Sequence, residues 1–246
     1  MFGLFGLISS FQLLGRVTDL HIYAPGKLKE ILEFYEKNFS QEQRFRTIVH
    51  PLGYKGEKVI YSDNWLEVIS FPLVHRIPAC GYLFREIPQE LNLKKEAVTE
   101  YKPGVEMIHR IRNGEDMELS DGTIIKNSEL TYSPWLCRSY AYCSDTAFEP
   151  AIAETVKGTD LLYHEATFSD DDRELAGKTL HSTSKQAAMI AKLSGSKKLL
   201  LGHFSPRYQD LNVLRDEART IFPDSVIVND GDEFIVGRIR SNNESD

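Results

Sequence analysis

From Arg138 onward the sequence keeps a rhythm that few architectures accept. RSYAYCSDT reads as a strand, EPAIAETVKG as a helix, TDLLYHEAT as a strand, HSTSKQAAMIAKLSGS as a helix and KKLLLGHFS as a strand. DLNVLRDEARTIFP continues as a helix, and SVIVND with DEFIVGRIR closes as strands. Short β-branched or aromatic runs alternating with amphipathic segments bury their apolar faces best as a sheet covered by helices. The expectation is an α/β layered domain.

The first half repeats the elements less regularly. LHIYAP is a strand ended by Pro25, and GKLKEILEFYEKNF is a helix with apolar Leu28, Ile31, Leu32 and Phe39. FRTIVHPL, KVIYSD, WLEVISFPLVH and GYLFRE are strands; KKEAVTEYKPGVEMIHRIRNGED holds two short helices broken at Pro103 and Gly104. DGTIIKN is a turn plus an edge strand. No repeat or linker interrupts the chain, so residues 1–240 read as one domain and 241–246 as a polar tail.

The opening MFGLFGLISS looks like a targeting segment but fails the tests for one. Its first basic residue is Arg16, after the apolar run, and no small-x-small cleavage site follows. It also falls short of the ~20 residues that cross a bilayer. Gly3 and Gly6 with Leu4, Leu7, Leu13 and Leu14 predict a core helix whose glycines permit close approach, and no membrane partner. The net charge of −7 excludes general electrostatic capture of nucleic acid; an RNA partner must be gripped by a local patch. Three cysteines without a CxxC pair exclude a disulfide framework and a cysteine-built zinc site, and fit free thiols in the cytoplasm.

The chemistry gathers where strands end. SYAYCSDT ends at Asp145, LLYHEAT at His164 and Glu165, KLLLGH at His203, and VISFPLVH at His75. Side chains at the carboxyl ends of strands converge on one crevice in α/β proteins. A single histidine there more often completes a hydrogen bond than binds a ligand, but four such positions together point to a metal or acid–base site. Histidine and aspartate without cysteine suit Zn²⁺, or Mn²⁺ if more oxygens join. An aspartate between two histidines could bridge two ions, and metals ~3.5–4 Å apart are typical of phosphodiester hydrolysis. Thr183 and Gln186 fit a capping box, which starts a helix near Ser182 and Thr183. His181 then precedes a helix N-terminus, where anions are favoured and where a histidine could protonate a leaving oxygen.

TDLLYHEATF, LHSTSKQAA and KKLLLGHFSPRY, in that order, resemble the carboxy-terminal motifs of the ribonuclease Z family of tRNA 3′-processing endonucleases. SFPLVHRIPACGYLFRE and SYAYCSDT resemble segments around a metal histidine and a bridging aspartate of the same family. The resemblance runs from Gly3 to about Phe234. It implies a metallo-β-lactamase αββα sandwich, with His75 and His203 each ligating one metal, Asp145 bridging the two, and two Zn²⁺ in an intact site. It implies His181 as the histidine that assists the leaving group, with Glu165 orienting it. His164 reads as structural; His21, His50 and His109 match no site motif. Arg207 and Tyr208 could touch phosphate or pack the loop. The resemblance also implies a tRNA precursor as substrate, a homodimer, and a tRNA-holding arm in the place of residues 86–126. There Lys94, Lys95, Lys102, Arg110 and Arg112 stand among Glu96, Glu100, Glu106, Glu115 and Asp116.

The family's metal loop, His-x-His-x-Asp-His, does not occur in the 246 residues. GLFGLISSFQLLGR resembles the helix that follows that loop, so the expectation is an N-terminally truncated sandwich, inactive as written, with an unpaired sheet edge. Three readings compete: a Zn²⁺-dependent endoribonuclease removing tRNA 3′ trailers, a non-catalytic remnant binding tRNA or a partner subunit, and a phosphodiesterase of the same fold with another substrate.

Overall fold

The structure, a computed structural model, describes residues 2–39, 44–53, 55–88 and 91–241. Of the expected polar tail, residues 242–246 lie outside the described residues, as do residues 89 and 90 of the expected arm. Helix α1 (Phe2–Leu13) leads through β1 (Leu20–Ala24) and α2 (Lys27–Phe39) to β2 (Thr47–Pro51). β1 and β2 pair in parallel, as strands joined by a helix must. Ile8, Leu28, Leu32 and Phe45 form a small core with Leu20, Ile22 and Val49. α1 is only partly the expected core helix, for Leu13 and Leu14 are 89% and 82% exposed. The close approach expected at Gly3 and Gly6 does not occur: a Cβ on either would meet open space.

A meander follows, with β3 (Lys58–Ser62), β4 (Leu66–Leu73) and β5 (Ala79–Glu86) antiparallel to one another. The chain then builds a small lobe from β6 (Asn92–Leu93), α3 (Lys95–Tyr101), α4 (Val105–Arg112), β7 (Met117–Glu118), β8 (Ile124–Ile125), α5 (Asn127–Leu130) and β9 (Thr131–Tyr132). Ala97, Ile111, Met117 and Leu130 give this lobe its own core. It returns through β10 (Ser139–Cys143), α6 (Ile152–Thr155), β11 (Leu161–Glu165), α7 (Arg173–Thr179), α8 (Ser184–Ser194), β12 (Lys198–Gly202), α9 (Asn212–Arg219) and β13 (Ser225–Ile227).

The main sheet runs in the order β13-β12-β11-β10-β5-β4-β3. β10 to β13 are parallel to one another, and β10 pairs antiparallel with β5. Since β5 is antiparallel to both β10 and β4, β4 points the same way as β10 to β13, and all their carboxyl ends share one edge. On one face, Ile69, Phe71, Leu83, Ala141, Cys143, Leu162, Leu199 and Leu201 pack against Ile152, Val156, Ile190 and Ala218 of the covering helices. Burial pushes the Cys143 thiol up, consistent with a packing role. On the other face the rings of Phe84 and Tyr140 stack at 5.8 Å, and those of Tyr142 and Tyr163 at 4.7 Å. Burial pushes Tyr140 up to about 12. A Cβ at Gly81 would collide with the Phe71 ring and one at Gly202 with Tyr163, so both positions demand glycine. Among the described residues the other sheets are the two-stranded pairs β1–β2, β6–β9 and β7–β8.

Two further departures from expectation have local causes. DEFIVGRIR forms no strand; only Arg240 bridges to Trp135, with Leu136 N–H donating to Ile239 O at 2.9 Å. α7 was not expected, because SDDDRELAGKTL is too short and polar to show apolar periodicity. Its exposed Glu174 and Lys178, 2.6 Å apart at i,i+4, support it locally.

At the sheet edge away from the strand carboxyl ends, Arg138 Nε and Nη2 donate to Glu86 Oε1 at 3.0 and 2.5 Å, and Arg138 N–H donates to Oε2 at 2.9 Å. These bonds hold the Glu86 carboxyl below the usual carboxylate range. A lowered folded-state pKa adds stability that is complete above the unfolded value, ~4.3 for glutamate, and is lost as pH falls through the folded value. Because the pair is about one third exposed, the contribution is on the order of 1 kcal/mol or less. Glu86→Gln should therefore lower the melting temperature at pH 7 and converge on the parent below about pH 4, as thermal unfolding across pH would show; a constant offset at every pH would contradict the assignment.

Candidate active site

The shared carboxyl edge gathers His75 after β4, Asp145 after β10, Glu165 at the end of β11 and His203 after β12; His181 arrives on the loop before α8. The expected capping box forms: Gln186 N–H donates to Thr183 Oγ1 and Thr183 N–H donates to the Gln186 side chain. Phe168 and Thr183 form a parallel bridge, and Ser182 Oγ donates to Thr146 O at 2.8 Å. The His181 loop is thereby stitched onto the strand ends.

Glu165 is fully buried, and each of its oxygens accepts two hydrogen bonds. Oε1 accepts from Thr146 N–H at 2.6 Å and His181 Nδ1 at 2.9 Å; Oε2 accepts from Ser182 N–H at 3.1 Å and Thr167 Oγ1 at 2.5 Å. A carboxylate buried this completely is tolerable only with such satisfaction. Because it only accepts, the proton lies on His181 Nδ1, and Nε2 is left facing the crevice.

The other two histidines are held the same way. His75 Nδ1 donates to Leu180 O at 3.0 Å. His203 Nδ1 lies 2.9 Å from Thr167 Oγ1, whose single proton goes to Glu165, so the histidine is the donor. All three histidines thus spend Nδ1 on the protein and present Nε2, which is how metal-binding and acid–base histidines are tuned. The His181 ring lies 5.0 Å from that of His75 and 5.4 Å from that of His203. Asp145 sits between His75 and His203: its Oδ1 is 3.2 Å from His203 Nε2, and it groups with His75 and His181 within 4.8 Å. Two lone-pair acceptors at that range repel each other unless a proton or cation lies between them. A donor set of imidazole nitrogens and one carboxylate fits a borderline divalent cation.

The backbone is strained where these groups are. Asp145, His203 and Leu180 all have left-handed φ, at 57°, 58° and 58°. Non-glycine residues adopt that region only when the surroundings impose it, and such positions cluster at functional sites.

Sequence reasoning missed Thr146, Thr167 and the Leu180 carbonyl as orienting groups. The threonines sit immediately after strand ends, which was the available signal, but nothing in their residue type separates an orienter from a packing residue. His164 is fully buried, its Nδ1 2.8 Å from Glu165 O, and burial pushes its imidazole below the ordinary value. His21 stacks on His50, which stacks in turn on Tyr23, away from the crevice. Arg207 lies over the Phe168 ring and 3.4 Å from Asp172, and the Tyr208 hydroxyl accepts from Ser169 N–H, so both pack the loop.

Thr167→Val keeps the side-chain shape but breaks the path from His203 to Glu165. Orienting groups of this kind are worth about 10–100-fold in metal affinity. The variant should lose that much affinity for a divalent ion by calorimetric titration while keeping its circular dichroism spectrum; unchanged affinity would contradict the assignment.

No protein-family model matches the chain. It is 42% identical over 226 residues to a ribonuclease Z of Bacteroides fragilis, covering 92% of this chain and 74% of that one. It is 43% identical to one of Bacteroides thetaiotaomicron, covering 92% and 72%. Human tRNase Z, short form, shares the fold with a TM-score of 0.59 and 22% identity, over 94% of this chain and 72% of that one. The metallo-β-lactamase fold protein YhfI of Bacillus subtilis does so with a TM-score of 0.56 and 18% identity, over 92% and 68%. With the fold and the strand-end histidines in agreement, this chain belongs to the ribonuclease Z family and carries the metallo-β-lactamase fold.

Proposed function

We propose that the protein is a Zn²⁺-dependent endoribonuclease that removes 3′ trailers from tRNA precursors, leaving a 3′-hydroxyl on the tRNA. The observation that supports this most is the convergence of three Nε2-presenting histidines around Asp145. The relatives' name, ribonuclease Z, supplies RNA as the substrate.

In this reading His75, His203 and Asp145 would hold the metal. Bound metal would neutralise phosphate charge and make water a stronger nucleophile. The protein's own residues handle orientation and the proton. Water oxygen bonds to phosphorus and gives up a proton to solvent, the bond from phosphorus to the 3′ oxygen breaks, and that oxygen takes a proton from Nε2 of His181 in its doubly protonated form, which leaves the neutral ring protonated on Nδ1. Glu165 keeps His181 Nδ1 occupied, so the exchangeable proton is the one that faces the substrate. Residues 86–126 would serve as the tRNA-holding arm. Within it Lys94 donates to the carbonyls of Ser128 and Glu129, Arg110 pairs with Glu115, and Arg112 donates to Leu91 O. Lys95 and Lys102 are therefore the better phosphate contacts of that lobe.

His181→Ala should lower kcat on a tRNA precursor by about 10²–10⁴-fold while leaving its Kd within a few-fold. Chelation should abolish cleavage, and added Zn²⁺ should restore it. A variant with parental turnover would remove His181 from the reaction.

We further propose a cytoplasmic homodimer. The three cysteines are free thiols, and no helix among the described residues is long and apolar enough to cross a membrane. Leu13, Leu14, Phe34 and Phe39 of the α1–α2 layer and its following turn are exposed, an apolar surface suited to a second copy. Light scattering should return twice the chain mass, and Leu14→Glu with Phe34→Glu should halve it; a monomeric parent would contradict the proposal.

A further inference from the structure

A groove of about 760 Å³ opens at the sheet edge opposite the histidines. Trp65 precedes β4, Glu86 ends β5 and Cys137 precedes β10, so the groove lies where β4 and β10 begin, and the histidine crevice lies where they end. The eight residues of β4 separate the two by roughly 26 Å, at ~3.3 Å per residue. The sequence contains two tryptophans, and both line this one groove.

Trp65 is 62% exposed and Trp135 38%, an unusual allotment for the largest apolar side chains of a chain with an ordinary core. Neither is loose. Trp65 N–H donates to Asp63 Oδ1 at 2.7 Å, and its carbonyl accepts from Ile87 N–H at 2.8 Å. Trp135 is fixed by its bridge to Arg240, by Ser133 Oγ donating to its carbonyl at 2.7 Å, and by Ser241 N–H donating to Pro134 O at 3.1 Å. The scaffold therefore holds the backbone that carries the two rings; the Trp65 ring is largely exposed, and the Trp135 ring is less exposed, beside Arg240.

Arginines surround the rings. Arg112, Arg238 and Arg240 line the groove, and the Arg240 guanidinium stacks 5.4 Å from the centre of the Trp135 ring. The acidic lining residue, Glu86, is neutralised by Arg138. The groove is thus a cationic patch on a chain of net charge −7. Exposed aromatic platforms interleaved with guanidinium groups are the chemistry that binds unpaired nucleotides: bases stack on the rings and phosphates meet the arginines, with little regard to sequence. An acidic peptide would use the arginines but leave the two ring faces without a purpose.

We propose that this groove is a second RNA-binding site, which takes a stretch of single-stranded RNA at the end of the sheet remote from the histidines. It does not depend on the metal chemistry proposed for that site, because its readout is binding and not cleavage.

The position of both tryptophans makes the test specific. Titration with a single-stranded oligouridylate twelve-mer should quench tryptophan emission, whereas a double-stranded RNA of the same length and a poly-glutamate peptide should not. By anisotropy of the labelled twelve-mer, Trp65→Ala and Trp135→Ala should each weaken binding about tenfold, and the corresponding phenylalanine variants should retain most of it. Arg238 and Arg240 are exposed, so Arg238→Gln and Arg240→Gln should fold normally. Each should make the dependence of log K on log salt shallower by about 0.7. Absence of quenching by the twelve-mer would overturn the proposal. Equal quenching by poly-glutamate, or twelve-mer affinity unchanged in both alanine variants, would do the same. Groove binding by a protein that cuts no precursor would overturn the metal-site reading alone.

Discussion

The buried carboxylate of Glu165 is the interaction on which the site depends. Its donors come from the segment after β10 (Thr146), the segment after β11 (Thr167) and the loop before α8 (His181 and Ser182). A charge removed from water must find compensation, and here the compensation draws three loops to one point. The orientation of His181 follows directly, and that of His203 follows through Thr167. Only His75 is aligned independently, by the Leu180 carbonyl one residue before His181. Deleting the carboxylate would leave two backbone N–H groups without partners inside the protein, so its loss would cost more than its own bonds.

Strain accompanies this arrangement. The left-handed backbone at Asp145, His203 and Leu180 aims two candidate ligands and one orienting carbonyl where relaxed geometry would not. Neighbouring order sustains it: β10 to β13 are laterally paired, and α8 is capped at its start and closed at Gly195 with φ 65°. A rigid sheet edge with strained turns suits pre-organised chemistry better than a flexible loop would.

Much of this was legible in the sequence because it rests on local signals. Apolar runs that stop at Asp145, Glu165 and His203 show where strands end, and parallel strands put those ends on one edge. The Thr183–Gln186 spacing marked the start of α8 because the capping box is a local hydrogen-bond device. What escaped depends on partners distant in the chain. Thr167 is an orienter only because His203 lies beside it. Gly3 and Gly6 resemble packing glycines, but no neighbour stands over them. DEFIVGRIR has strand composition, yet ladder formation needs a free edge at the right height, and its contacts with Trp135, Leu136 and Arg138 make one isolated bridge and no ladder. Trp65 and Trp135, seventy residues apart, likewise gave no sign that they would share a groove.

Most exposed to disproof is the proposal that His75 and His203 turn Nε2 toward a divalent cation beside Asp145, while His181 keeps its Nε2 for the substrate. Anomalous diffraction at the zinc edge from crystals grown with Zn²⁺ tests it without recourse to activity. The expected result is a peak within coordination distance, ~2.0–2.1 Å, of the Nε2 of His75 or His203, with an Asp145 oxygen as the neighbouring ligand and Glu165 still bound to its four donors. A peak ligated through Nδ1, or one that draws Glu165 away from His181 into the coordination sphere, would contradict it.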